Sequence, residues 1–205
     1  MATINGSSGK DTLYGTSSDD TLTGGLDNDL LYGYGGNDSY VFSKGAGQDT
    51  VFDYNSSIGD ADVISFLDVK STELTAIERS GSHLVLKYGT SDSITVNYFF
   101  QATYQIEHFR FSDGVVWDAA AINERVVFKG TTGNDNLYGL SDFSNRIYGL
   151  DGVDFLYGGN QDDVLNGGSG ADTLYGGAGD DSYYVDNLND IIYDASGTSD
   201  TVYVS

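Results

Sequence analysis

Residues 167–175 read GGSGADTLY and residues 176–184 read GGAGDDSYY. Both phrases carry glycine at places one, two and four, aspartate at six and a core-type side chain at eight. Five glycines fall within the first eleven residues, and each costs about 1 kcal/mol in a helix interior, which argues against a helix. The three residues between successive turns are short for a strand. Something must hold the turns.

The period extends far beyond this pair. With Asp-x-apolar as the anchor, the first part of the chain gives Asp11/Leu13, Asp20/Leu22, Asp29/Leu31, Asp38/Tyr40, Asp49/Val51 and Asp62/Ile64. The later part gives Asp135/Leu137, Asn145/Ile147, Asp154/Leu156, Asp163/Leu165, Asp172/Leu174, Asp181/Tyr183, Asp190/Ile192 and Asp200/Val202. Each nonapeptide reads as a six-residue turn followed by a three-residue strand whose middle side chain points inward. One such strand cannot stand alone, but stacked turns bury a continuous apolar column. If two nonapeptides make one coil, repeats eighteen residues apart lie on the same edge.

Charge follows the repeats. The 205 residues carry 31 acidic and 9 basic side chains, a formal net charge of -22. Residues 1–65 hold -8 and residues 129–205 hold -11, against -3 for residues 66–128, where all four glutamates lie. This balance excludes nucleic acid as a partner, because phosphate contact needs a basic face, and it disfavours anionic membranes. The apolar and aromatic positions are too regular for a disordered acidic chain. There is no cysteine and no proline, so disulfides play no part. No apolar run is long enough for a membrane helix.

Stacked aspartates on adjacent coils lie about 5 Å apart and repel one another or take up protons. A hard divalent cation turns that repulsion into binding, and calcium accepts six to eight oxygens in loose geometry. Magnesium wants a tighter octahedron. Zinc lacks its preferred ligands, since both histidines, His83 and His108, lie outside the repeats. Glutamate's extra methylene is expected to misplace its oxygen.

The sequence resembles the repeats-in-toxin (RTX) family, whose nonapeptide G-G-x-G-x-D-x-U-x binds calcium. The match is strict at 167–175 and 176–184; it is looser at 24–32, where Asp27 takes the place of the fourth glycine, and at 158–166, where Gln161 does. The resemblance implies an all-β fold, a right-handed parallel β-roll in two blocks, 1–65 and 129–205. Several calcium ions are expected between turns, held by sixth-place carboxylates and turn carbonyls. Carried over, the carboxylates are Asp11, Asp20, Asp29, Asp38, Asp154, Asp163, Asp172 and Asp181, with Asp49, Asp62, Asp135, Asp190 and Asp200 in degenerate repeats. The glycines are Gly24, Gly33, Gly158, Gly159, Gly167, Gly168, Gly170, Gly176, Gly177 and Gly179. Asn145 keeps an oxygen but lacks the charge, so its site should be the weakest.

Residues 66–128 differ in kind. HLVLKYG, DSITVNYFF and YQIEHFRFSDGVVW read as strands, and DAAAINE as a short helix with Asp118 as N-cap. This stretch resembles the β-rich domain related to haemolysin-type calcium-binding proteins, expected here as a cap between the two blocks.

Catalysis finds little support. Neither histidine has a cysteine partner, there is no zinc motif and no Gly-x-Ser-x-Gly elbow. The resemblance implies an extracellular, calcium-triggered folding module of a large protein exported by type I secretion machinery, a toxin or an adhesin. MATINGSSGK has no signal-peptide pattern, which leaves a cytosolic protein or an excised piece of one exported by another route, and the end at TVYVS favours a piece. A second reading rests on ninth-place tyrosines at 14, 32, 138, 148, 157, 175, 184, 193 and 203. Such outward aromatic rows either bind a glycan or cell-surface partner or simply cover a sheet face by cross-strand packing.

Overall fold

A computed structural model describes residues 1–54 and 60–205. Residues 55–59, which the sequence reading placed inside the first block, lie outside the described residues. The chain divides into two compact units, Met1–Ile122 and Asn123–Ser205.

In the first unit the strands alternate between two sheets. One sheet contains β1 (Thr3–Asn5), β3 (Thr21–Thr23), β5 (Ser39–Phe42), β7 (Val63–Phe66), β11 (His108–Arg110) and β12 (Val116–Asp118), in that order. The other joins β2 (Thr12–Tyr14), β4 (Leu30–Tyr32), β6 (Gln48–Phe52) and β10 (Asp92–Val96) in parallel. It continues antiparallel through β9 (His83–Tyr88) and β8 (Leu74–Ser80). The second unit repeats the plan without the hairpin. Strands β13 (Val127–Lys129), β15 (Arg146–Gly152), β17 (Val164–Gly170), β19 (Ser182–Val185) and β21 (Thr201–Val204) form one parallel sheet. Strands β14 (Asn136–Tyr138), β16 (Phe155–Gly159), β18 (Thr173–Gly177) and β20 (Ile191–Tyr193) form the other. This is the parallel β-roll that the resemblance implied.

Register explains why eighteen is the decisive spacing. Thr3 pairs with Thr21 and Thr21 with Ser39; Phe155 pairs with Thr173 and Thr173 with Ile191. Every eighth-place side chain therefore stacks on its equivalent. Leu22, Leu31, Tyr40, Val51, Ile64, Val96 and Phe109 fill the first unit, and Ile147, Leu156, Leu165, Leu174 and Tyr183 the second, all buried. Full burial of one such side chain stabilises by about 1.5–3 kcal/mol, which no three-residue strand obtains by itself.

The middle segment joins the first unit's ladders. β10 lies parallel to β6 with Ser93 opposite Gln48, and β11 lies parallel to β7 with His108 opposite Val63. Both steps span 45 residues, so the segment winds one further coil and carries the β8–β9 excursion as an insertion. Its own core adds Phe66, Leu84, Leu86, Tyr88, Phe99, Ile106 and Phe111. The short helix α1 (Ala119–Asn123) starts where expected, with the Ala121 amide donating to Asp118 Oδ1 at 2.8 Å.

Candidate metal centres

Sixth-place carboxylates form a ladder. The backbone N–H of each donates to Oδ1 of the aspartate one coil later: Asp11 to Asp29 (2.8 Å), Asp20 to Asp38 (2.7 Å), Asp29 to Asp49 (2.9 Å) and Asp38 to Asp62 (2.7 Å). In the second unit the bonds run from Asp135 to Asp154, Asn145 to Asp163, Asp154 to Asp172, Asp163 to Asp181, Asp172 to Asp190 and Asp181 to Asp200, at 2.7–2.9 Å. One oxygen of each accepting carboxylate is thereby fixed. The other oxygen sorts the residues into two classes.

In the first class Oδ2 is satisfied within its own turn. Asp11 Oδ2 accepts the amide and hydroxyl of Ser7, Asp20 Oδ2 those of Thr16, and Asp135 Oδ2 those of Thr131. Asp190 Oδ2 accepts the amides of Asp186 and Asn187. The bonds from Ser7 hold the Asp11 carboxyl below its usual range. For Asp20 burial acts upward, but the bonds from Thr16 and Ala2 outweigh it and the net shift is downward. A serine or threonine at the second place is thus a built-in cap.

In the second class Oδ2 is buried and has no partner among the described residues: Asp29, Asp38, Asp154, Asp163 and Asp172. Burial is the main force that raises all five carboxyls. It carries Asp38 to about 7 and Asp163 and Asp172 to about 6, with neighbouring aspartates adding to the rise. Asp49, also buried, goes to about 7 for the same reason. A buried, unpaired carboxylate is costly, so this geometry calls for protons or for a cation. The surroundings favour a cation. A Cβ on Gly158 would run into both Asp163 Oδ2 and the Gly176 carbonyl oxygen, and Gly149 meets Asp154 Oδ2 and the Gly167 carbonyl in the same way. First-place glycines therefore clear a cradle in which a carboxylate oxygen and a carbonyl from the next coil converge. Gly24, Gly33, Gly167 and Gly176 each stand against the carboxylate of their own repeat. All-oxygen donors of this kind suit calcium.

The remaining expected glycines serve the stacking. Gly168, Gly170, Gly177 and Gly179 have positive φ and lie against the backbone of the coil before, while Gly159 packs on Leu140 and Ser141. At Gly170 the carbonyl of Gly152 occupies the space a side chain would need. Asp27, in place of a fourth glycine, adopts the glycine-like φ of 73° all the same.

Three features escaped the sequence reading. Glu107 continues the ladder, its Oε2 accepting the Asp62 amide at 2.8 Å. Asp92 accepts the amides of Gly45 (2.8 Å) and Gly47 (3.3 Å), holding the turn before β6. Asn145 is saturated: Oδ1 accepts the Leu140 amide, and Nδ2 donates to Leu140 O, Phe143 O and Asp163 Oδ1 at 3.1, 2.7 and 2.8 Å. An amide N–H here bridges the oxygens that a cation would otherwise collect. Of the histidines, His83 Nδ1 accepts the Tyr98 amide and His108 sits in β11 opposite Asp118; both are accounted for structurally.

A family model for the RTX calcium-binding nonapeptide repeat matches in four copies, at residues 4–40, 127–142, 141–174 and 157–192, about half of the chain. The chain belongs to the RTX calcium-binding repeat family. Its repeats bind calcium, and the orphaned oxygens above fit that ion. Residues 83–121 match the haemolysin-type calcium binding protein related domain. Iron-regulated protein FrpA of Neisseria meningitidis serogroup C is 39% identical over 117 residues, 55% of this chain but 10% of FrpA. The chain thus spans about a tenth of that relative's length. The crystal structure of extracellular lipase LipA from Serratia marcescens is similar at a TM-score of 0.41 and 19% identity, covering 92% of this chain and 32% of that one.

The ninth-place aromatics form stacked rows. Tyr138, Tyr157, Tyr175 and Tyr193 lie 4.7 Å apart ring to ring, and Tyr14, Tyr32 and Phe52 at 5.2 and 4.6 Å. Their faces are spent on one another.

Proposed function

We propose that this RTX chain is a calcium-triggered folding module of a larger exported protein, with the second-class aspartates as the principal ligands. The observation that carries the reading is the set of buried, unpartnered Oδ2 atoms on Asp29, Asp38, Asp154, Asp163 and Asp172. At low calcium these carboxylates oppose stacking, and the short strands between them are too weak to form alone. At millimolar calcium, the range in which extracellular modules bind, the ladder closes and the apolar column becomes continuous. An ion that binds only the folded state stabilises it by mass action. Export of a parent toxin or adhesin through type I secretion machinery, in an unfolded state and to the cell exterior, is the setting in which such a switch is useful.

Circular dichroism with chelator and with millimolar calcium tests the reading. A β-rich spectrum that appears only with calcium is expected, and an unchanged spectrum after thorough chelation defeats it. The adhesive reading is served by the exposed edges of the tyrosine rows, with Tyr14, Tyr138 and Tyr193 each half-exposed or more; the tight ring stacking favours sheet cover instead. Glycan binding with and without calcium separates the two.

A further inference from the structure

Each repeat unit contains one coil that breaks the rule in the same way. Its sixth-place aspartate is followed by Tyr rather than Leu at place eight: Asp38 and Tyr40 in the first unit, Asp181 and Tyr183 in the second. One coil later the first-place glycine is also replaced. Tyr32 pairs with Phe52, so Asp53 stands in register with Gly33; Tyr175 pairs with Tyr193, so Asp194 stands in register with Gly176. Where an ordinary coil presents a glycine carbonyl to its neighbour's carboxylate, these two coils present a further carboxylate.

The side chains converge. Asp38, Asp53 and Asp62 each place a carboxylate oxygen within 4.8 Å of the others, and Asp181, Asp194 and Asp200 do the same. Twice a calcium–oxygen distance of about 2.4 Å is about 4.8 Å, so one ion can touch all three. All three aspartates of the first cluster are buried, and Asp53 is fully so. Among the described residues neither oxygen of Asp53 makes a well-formed hydrogen bond, and Asp38 Oδ2 makes none. The Tyr40 hydroxyl, also buried without a well-formed bond, faces Asp53 and stands over Gly33 beside Asp38. In the second cluster the Tyr183 hydroxyl donates toward Asp194 Oδ1 at 3.1 Å and Asp181 Oδ2 at 3.3 Å.

We propose that Asp38, Asp53 and Asp62, with the Tyr40 hydroxyl, form an additional calcium site of a different kind from the glycine-cradled repeat sites, and that Asp181, Asp194, Asp200 and Tyr183 form its counterpart. Three carboxylates around one divalent ion exceed the charge of a repeat site, and ligand charge count tunes calcium affinity. These are the tightest sites of their units and the last to empty. Left without an ion, three buried carboxylates this close repel one another and stay unsolvated at a cost.

The inference rests on the calcium-binding reading, and the experiment keeps the two apart. Calcium titration calorimetry on the full 205-residue chain compares wild type with Asp53→Asn, Asp194→Asn and Asp172→Asn. Asp53→Asn should lose one ion from the tightest class, or bind it at least about tenfold more weakly, and should show a smaller calcium-induced rise in Tm with no lower Tm in chelator. If Asp53→Asn does not fold in calcium, Asp194→Asn at the more exposed cluster must show the same loss of one tight ion. Unchanged stoichiometry and affinity in a folded Asp53→Asn, or in Asp194→Asn where Asp53→Asn does not fold, overturns the proposal and leaves Asp53 as a buried protonated acid. Should Asp172→Asn shift binding while the cluster variants do not, the repeat sites stand and only this inference falls.

Discussion

The amide of Asp154 donates to Oδ1 of Asp172 at 2.9 Å, while Oδ2 of Asp172 is buried with no partner. Asp172 thus joins two coils through one oxygen and offers the other to an ion. Asp172→Ala removes both, and should move the calcium midpoint of folding upward by about tenfold or more, equivalent to about 1.4 kcal/mol. Asp142→Ala deletes an exposed charge outside the ladder and should leave the midpoint nearly unchanged. Equal shifts in the two titrations would mean that bulk charge, rather than register, governs binding.

Asn145 offers the reverse experiment. Its Nδ2 bridges Leu140 O, Phe143 O and Asp163 Oδ1, and a carboxylate there would face three oxygens with no proton to share. Asn145→Asp should lower Tm in chelator, by about 1–3 kcal/mol of stability for an unsatisfied buried group, and add one ion to the calcium stoichiometry. Loss of stability without a gained ion would show that this coil cannot form a site.

Acid should stabilise the calcium-free fold. Asp38 and Asp49 are raised to about 7 and Asp163 and Asp172 to about 6, mainly by burial, from about 3.9 in the unfolded chain. The folded state therefore binds more protons between about pH 4 and 7, so its stability is fully present below the lower limit and is lost as pH rises through the upper one. Asp11 and Asp20, held low, act with the opposite sign only at lower pH. Melts in chelator at pH 5 and pH 7.5 should show the higher Tm at pH 5. In calcium, protons compete for the same oxygens, and the midpoint concentration should rise as pH falls. A Tm in chelator that increases with pH would refute the assignment of buried, unpaired carboxylates.

Leu150 occupies a second place with φ of 85°, almost the angle of Gly168 one coil later. A side chain in that region costs about 1–2 kcal/mol, offset in part by the greater freedom of glycine in the unfolded chain. Leu150→Gly should stabilise by about 0.5–1 kcal/mol in saturating calcium. Gly168→Ala should destabilise by more, because its Cβ would meet the Leu150 carbonyl. Thermal melts of both variants decide the point.

The repeat itself was legible from residues alone. An apolar eighth place every nine residues can be buried only by stacking, so Leu156, Leu165 and Leu174 announce the roll, and the aspartates two places before them announce the edge on which charge accumulates. Alternating strand geometry made that inference local. Which carboxylates remain free was not local. Asp20 and Asp172 occupy the same place in their repeats, yet a threonine hydroxyl four residues earlier satisfies Oδ2 of the one, while among the described residues nothing satisfies Oδ2 of the other. Seeing this requires both the turn geometry and the ladder bond that takes up Oδ1. The 45-residue step that brings Glu107 under Asp62, and the register that sets Asp53 against Gly33, depend on strand pairings between residues far apart in sequence. Periodicity cannot specify such pairings once the count departs from nine. Sequence thus determined the period, the core column and the calcium chemistry, while the tertiary structure decided which oxygens meet, because that depends on distances between coils rather than along the chain.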